Sequence, residues 1–427
     1  MNKEENRIVP QLRFPEFEKD GYWETETIND LSKTVTAGGT PSTKIEDYWG
    51  GDIRWMNSGE LNLKIVEEVE GRITKEGLKN SSTKIIPENS VLIGLAGQGK
   101  TRGTIAINKV KLCTNQSIAS IYPNEDVFDS EFLYHNLDNR YNELRELSAG
   151  GEGRGGLNLK IIKEIRIPIP PKKEEQQKIA ACLSSLDEVI TAETEKLDLL
   201  QDHKKGLLQQ LFPAEGETQP KFRFPEFKED GDWEETTLGE LAKFRRGSFP
   251  QPYGLEEWYD DENGMPFIQV YDVDTNLKIK PKTKRLISEL AAQQSVFIEK
   301  GTIIITIQGS IGRVAITQYD AYIDRTLLLF QKFYKSTDKL FFAYVIQMLF
   351  EIEKQKAPGG IIKTITKEVL TSFVIKLPKI KEQQKIAQCL SAADELIEAQ
   401  TRKIEALQEH KKGLLQQLFP SINEVTV

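Results

Sequence analysis

The chain has 427 residues, 38% apolar and 29% charged, which is enough apolar material for two or three folded domains and too much for a disordered chain. A net charge of −8 excludes a uniformly basic nucleic-acid binder but leaves room for a basic face. Cys113, Cys182 and Cys389 lack metal or disulfide spacing, no leader-like segment opens the sequence, and the longest apolar run, 340–350, is too short for a bilayer, so a reducing cytoplasm and no membrane span are expected.

In chain order, a first mixed α/β domain is expected over 1–170. It opens on residues 10–31, PQLRFPEFEKDGYWETETINDL. Apolar and β-branched runs at 90–96, 104–107 and 115–122 predict strands, and the stretch 130–147 predicts one aromatic-bearing helix. A glycine-rich loop at 150–156 then carries Arg154. A first long helix fills 171–213, a linker 214–221, and a second α/β domain 222–377. That domain repeats the plan, with strands predicted at 301–307, 313–316 and 324–330, a helix at 337–356 and glycines at 359–360. A second long helix fills 378–420, and a tail 421–427.

The chain is a tandem duplication. Residues 220–241 match 10–31 at twelve of 22 positions, and 378–420 match 171–213 at 30 of 43. Between these shared segments the two copies barely resemble each other, and simple drift would not spare the helical segments so selectively. Repeated constant segments imply a shared structural role with pseudo-twofold symmetry; variable segments in equivalent places imply two related domains acting on different targets.

The long segments carry heptad seams. In the first, Ile179, Leu183, Leu186, Ile190 and Leu197 alternate steps of four and three, with Glu193 and Lys204 interrupting. In the second, Ile386, Leu390, Ile397 and Ile404 do the same, with Gln400 and Lys411 in the interrupting places. Each helix ends at a Phe-Pro pair, where proline cannot continue it. At 1.5 Å per residue each makes a rod of about 60 Å that needs a partner, and an antiparallel coiled coil of the two is the expected solution. It would carry the two α/β domains at opposite ends.

Residues 94–101, GLAGQGKT, fit the phosphate-binding pattern of P-loop ATPases, but the following Arg102-Gly-Thr-Ile-Ala-Ile favours a hairpin over the helix that pattern requires. Its counterpart at 308–313 lacks the Lys-Thr pair. As hairpin loops these segments present Gln98, Lys100 and Arg102 in one domain and Gln308 and Arg313 in the other. Further cations are Arg154, the pair Arg245-Arg246, and Lys280, Lys282 and Lys284 within a run from Lys278 to Arg285. Arg, Lys and Gln pair with base edges and phosphates, so these residues are the candidate DNA contacts, although any one cluster alone is more often a solvated face. Neither a methyl-donor loop with an Asn-Pro-Pro-aromatic motif nor a metal cluster is found, so no catalytic site is expected, and the three histidines suggest no triad.

These segments resemble the specificity subunits of type I restriction–modification systems. The resemblance rests on Arg-Phe-Pro-Glu-Phe at 13–17 and 223–227, followed by Trp23 and Trp233; on Thr40-Pro-Ser-Thr and Tyr48-Trp-Gly-Gly-Asp-Ile-Arg-Trp55; and on Glu-Gln-Gln-Lys-Ile-Ala at 175–180 and 382–387. It implies two target recognition domains, each reading half of a split double-stranded DNA sequence. The helices would set the gap and dock two modification subunits, which bring S-adenosylmethionine. Restriction subunits would bring ATP and Mg, and this chain would hold no cofactor. The second copy departs after Phe244, with Gly247-Ser-Phe-Pro-Gln-Pro in place of the Thr-Pro-Ser segment, so the halves should read different sequences. A freestanding tandem nucleic-acid-binding protein is the alternative.

Overall fold

A computed structural model describes residues 8–97, 100–148, 156–356 and 367–420. The chain divides into two units, Met1–Glu195 with Arg402–Val427, and Lys196–Thr401. Both boundaries therefore fall inside the long helices, Lys173–Leu211 and Ile380–Leu418, and not at the domain ends expected near 170 and 377. The reason is packing: each unit takes one helix start and the other helix's end.

In the first unit, a five-stranded sheet runs in the order Val35–Ala37, Ile118–Ile121, Val91–Gly94, Ile105–Asn108, Ile65–Val66. A three-stranded sheet pairs Arg72–Ile73, Trp49–Met56 and Cys113–Thr114. The strands Val91–Gly94, Ile105–Asn108 and Ile118–Ile121 are buried throughout, which explains their unbroken apolar runs. The predicted helix 130–147 is two helices, Ser130–Asn139 and Tyr141–Leu147. Arg140 breaks it: its backbone leaves the helical region (φ −99°, ψ 22°) and its guanidinium reaches Arg166 O at 2.7 Å.

The second unit repeats this plan. One four-stranded sheet runs Ala242–Arg246, Leu327–Phe333, Ile303–Thr306, Val314–Ile316, and another Arg285–Ile287, Met265–Ile268, Ala321–Ile323, Val296–Ile298. The expected aromatic helix spans Lys339–Lys356 without a break.

Helix ends complete both cores. Leu418 and Phe419 are buried with Trp23 and Phe132 in the first unit, with Phe132 and Phe419 edge to face at 5.2 Å. Leu211 and Phe212 are buried with Trp233 and Phe341 in the second. Burying such a Leu-Phe pair contributes several kcal/mol, at roughly 1.5–3 per side chain, which accounts for the Leu-Phe that both copies of HKKGLLQQLFP share near their ends.

The helices pair antiparallel within the first unit, since Asp187 meets Lys411 at 2.5 Å and Glu193 meets Lys403 at 2.6 Å. Ile179, Leu183, Ile386, Leu390 and Ile404 are buried, while Leu186, Ile190, Leu197 and Ile397 are half-buried. The polar interruptions have partners: Lys204 bonds Asp394 at 2.6 Å and lies over the Tyr344 ring. Among the described residues no helix is long and apolar enough to cross a membrane.

Candidate nucleic-acid interface

Each unit builds one sheet edge by the same device. In the first, Asn115 N bonds Met56 O (3.0 Å), Ser117 N bonds Asn115 Oδ1 (3.0 Å) and Leu95 N bonds Ser117 O (2.8 Å). In the second, Asp324 N bonds Ile268 O (3.1 Å), Thr326 N bonds Asp324 Oδ1 (2.8 Å) and Ile307 N bonds Thr326 O (2.9 Å). Both are turns held by an Asn or Asp side chain capping its own backbone two residues on. A strand end crosses each turn at a glycine. A Cβ on Gly38 would fall 2.4 Å from Asn115 O, and one on Gly247 would fall 2.3 Å from Asp324 O, so no other residue fits.

In the second unit this edge gathers segments that are distant in sequence. Arg245 and Arg246 end their strand beside Gly247 and are exposed. Arg325 projects from the turn over Tyr253, 5.0 Å from its ring centre. Asp272, buried, accepts from Gln269 N and Lys284 N at 2.9 Å and so ties the 280–284 loop to the same edge. Burial raises the Asp272 pKa, and those two N–H groups oppose the shift. Lys280, Lys282 and Lys284 are exposed, with Lys284 over Tyr271 at 5.0 Å. Gln308 is exposed in the neighbouring loop, where Gly309 packs on Val270. Cations interleaved with aromatic rings suit a nucleic-acid backbone and its bases.

The ends of the lysine run are diverted. Lys278 pairs with Glu398 of the second long helix at 2.6 Å, and Arg285 pairs with Asp261 and stacks on Tyr259. Arg313 is half-buried and its guanidinium bonds Val273 O at 3.1 Å, so it supports the loop from behind. Matching hairpin bonds, Gly94 N to Thr104 O and Thr306 N to Arg313 O, make Arg313 the counterpart of Thr104 and not of Arg102.

In the first unit, Gly94 and Gly103 close a hairpin from Val91–Gly94 to Ile105–Asn108, and no helix begins at Lys100. The P-loop reading lacks its helix. Lys100 is exposed while its carbonyl accepts from Thr104 and Tyr141; Arg102 is half-buried. Gln98 and Arg154 lie outside the described residues. Two further cations here are tied down. Arg54 and Arg72 both bond Glu68, whose carboxyl is held down at a pKa of about 2, chiefly by its bond from Arg54. The exposed residue of the turn is Gln116, with Thr40 Oγ1 donating to its Oε1 at 2.6 Å.

Sequence reasoning missed Gln116, Arg325, Gln269 and Tyr271. None belongs to a charge cluster; the usable signal was the matched Asn-Gln-Ser and Asp-Arg-Thr triplets at the start of equivalent strands.

The histidine at 135 is structural. It is buried, its Nε2 lies 3.0 Å from Ser184 Oγ, and Ser184 donates to Glu131. Burial holds its pKa down at about 3, so the ring is neutral.

Residues 21–202 and 230–409 match the family model of the type I restriction modification DNA specificity domain. Over 261 residues the chain is 32% identical to the type I restriction enzyme MjaIX specificity subunit of Methanocaldococcus jannaschii, covering 58% of this chain and 57% of that subunit. It is 26% identical over 433 residues to the MjaVIII specificity subunit of the same organism, covering 98% and 96%. The S subunit of a type I restriction–modification system from M. genitalium has the same fold, with a TM-score of 0.60 at 17% identity over 97% of this chain and 100% of that one.

Proposed function

Because the chain belongs to the type I restriction–modification DNA specificity family, we propose that it is the sequence-reading subunit of such a complex, each unit taking one half of a bipartite double-stranded target. One observation carries this reading. The two units repeat a single edge, glycine strand over capped turn, yet present different side chains on it. Two readers with one frame and unlike surfaces are what a split, asymmetric target requires.

The long helices would set the unread gap and dock two modification subunits. Val189, Leu199 and Leu396 are large apolar residues left 44%, 69% and 58% exposed on these helices, which suits a helical partner. Catalysis would rest with the partners: S-adenosylmethionine in the modification subunits, ATP and Mg in the restriction subunits, all in the cytoplasm where the DNA lies. The chain itself is proposed to perform no chemistry.

Sequencing of methylated adenines in cells with and without this gene tests the reading. Loss of one bipartite motif on deletion is expected. Methyl transfer by the purified chain alone would count against it, and sequence-specific duplex binding with no dependent methylation would favour a freestanding nucleic-acid-binding protein.

A further inference from the structure

Resting on the reading above, the geometry points to one base-selecting residue in each unit: Arg325 takes a guanine of one half-site, and Gln116 takes an adenine of the other. Within each turn the remaining side chains are already committed. Asn115 and Asp324 cap their own turns, Ser117 and Thr326 are half-buried, and Ile118 and Leu327 are buried. Gln116 and Arg325 alone in these turns are exposed. The side-chain cap and the backbone hydrogen bonds fix each turn regardless of the residue it displays. Besides the bonds above, they are Ile118 N to Asn115 O (3.3 Å) and Gly38 N to Ile118 O (3.3 Å), matched by Leu327 N to Asp324 O and Gly247 N to Leu327 O, both 3.0 Å. A hydrogen-bonded frame shared by both units that carries a different exposed residue in each is a reading position.

The neighbours are less suited. Asn57, the counterpart of Gln269 in the first unit, spends its amide on Glu60 (2.7 Å) and its Oδ1 on Gly59 N (2.8 Å). Gln269 accepts from the Tyr271 hydroxyl. Arg245 and Arg246 lie on the strand leading into the edge and suit phosphates, which position a protein without conveying sequence.

The two reading side chains are also oriented. Thr40 pins Gln116 Oε1, leaving the amide NH2 to donate and one oxygen lone pair to accept, the pattern of adenine N7 and N6. Arg325 lies over the Tyr253 ring and, among the described residues, has no carboxylate partner, so its donor edge is free for guanine O6 and N7. Glutamine with adenine and arginine with guanine are the pairings their donors and acceptors permit bidentately.

The test uses the full complex. Methylated-adenine mapping is repeated with Arg325→Ala and with Gln116→Ala. Arg325→Ala should make one guanine position in one half-site permissive and leave the other half intact; Gln116→Ala should relax one adenine position in the other half. With purified complex, 7-deazaguanine at the Arg325 position removes the N7 acceptor. It should weaken binding on the order of 10- to 100-fold for the parent and not at all for Arg325→Ala. Unaltered motifs in both variants, or relaxation at a different base, overturn the assignment. If Arg325→Ala methylates nothing, the parent decides: no second-half guanine sensitive to loss of N7 also overturns it. Absence of any motif dependent on the gene removes the specificity reading itself, whereas a persistent, unchanged motif removes only the base assignment.

Discussion

Arg13 and Glu175, 162 residues apart, meet through two parallel hydrogen bonds of 2.7 Å, both side chains almost wholly withdrawn from water. The second copy repeats the pair as Arg223 and Glu382, at 2.9 and 2.8 Å. Each arginine also donates to a glycine carbonyl, Gly21 or Gly231. Next to each glutamate, Gln176 accepts from Asp129 N and Gln383 from Asp338 N, both 2.8–2.9 Å, at the start of the aromatic helix. The Arg-Phe-Pro-Glu-Phe and Glu-Gln-Gln motifs are thus two halves of one clamp joining each α/β domain to its helix.

Removing one partner of a buried pair strands the other. Glu175→Ala should destabilise the first unit by about 3–5 kcal/mol, and it also strips the Trp23 indole of its 3.3 Å acceptor. The double variant Arg13→Met/Glu175→Leu should cost far less than the sum of the single changes, because no charge is left buried. Urea unfolding followed by tryptophan fluorescence measures both; additive costs would show that the clamp is not coupled.

His135 makes the first unit acid-sensitive. Its pKa of about 3 lies below the ordinary value of 6.5, so the fold keeps the ring neutral while the unfolded chain takes up a proton. Above pH ~6.5 neither state is protonated and nothing is lost; below it stability falls by up to about 1.4 kcal/mol per pH unit. Between pH 7 and 5 the parent should lose about 2 kcal/mol more than His135→Gln. Unfolding midpoints at the two pH values measure it, and equal losses in both proteins would assign the acid sensitivity elsewhere.

The helix seam was legible because its period is local. Every predicted seam residue is buried or half-buried, down to the polar interruptions. The sheets were legible as strands because apolar runs mark buried strands, but their pairing was not. The edge was the least legible part: it draws Gly247, Gln269, Lys284, Gln308 and Arg325 from five segments through backbone bonds that leave no trace in composition. Cation clustering did find Lys280, Lys282 and Lys284, which are exposed there, but not that Lys278 and Arg285 at the ends of the run are held by Glu398 and Asp261, or that Arg313 of the hairpin loop is held by Val273 O.

Lys280, Lys282 and Lys284 should add affinity without sequence preference. Each phosphate deprived of its cation lowers the slope of log affinity against log salt by ~0.9. Replacing all three with alanine should flatten that slope by roughly 2–3 and leave the methylated motif unchanged. Binding titrations of the complex from low to high NaCl measure the slope. An unchanged slope would place these exposed lysines away from DNA.

Gly247 tests whether the turn geometry itself reads DNA. Its backbone has no left-handed twist to preserve, so the requirement is space alone: a Cβ would lie 2.3 Å from Asp324 O and 2.5 Å from Ile323 O. Those atoms are backbone and cannot swing aside, so Gly247→Ala must lift the strand or displace the turn that carries Arg325. The hydrogen bonds from Gly247 N to Leu327 O and Ser248 N to Ile323 O would stretch with it. Recognition of one half-site should then degrade while the other is still read, and Gly38→Ala should do the reverse through Thr114 and Asn115. Adenine methylation mapped for each variant gives the answer half by half. A variant that folds, assembles and keeps both half-sites sharp would show that the turn is a scaffold with no part in recognition.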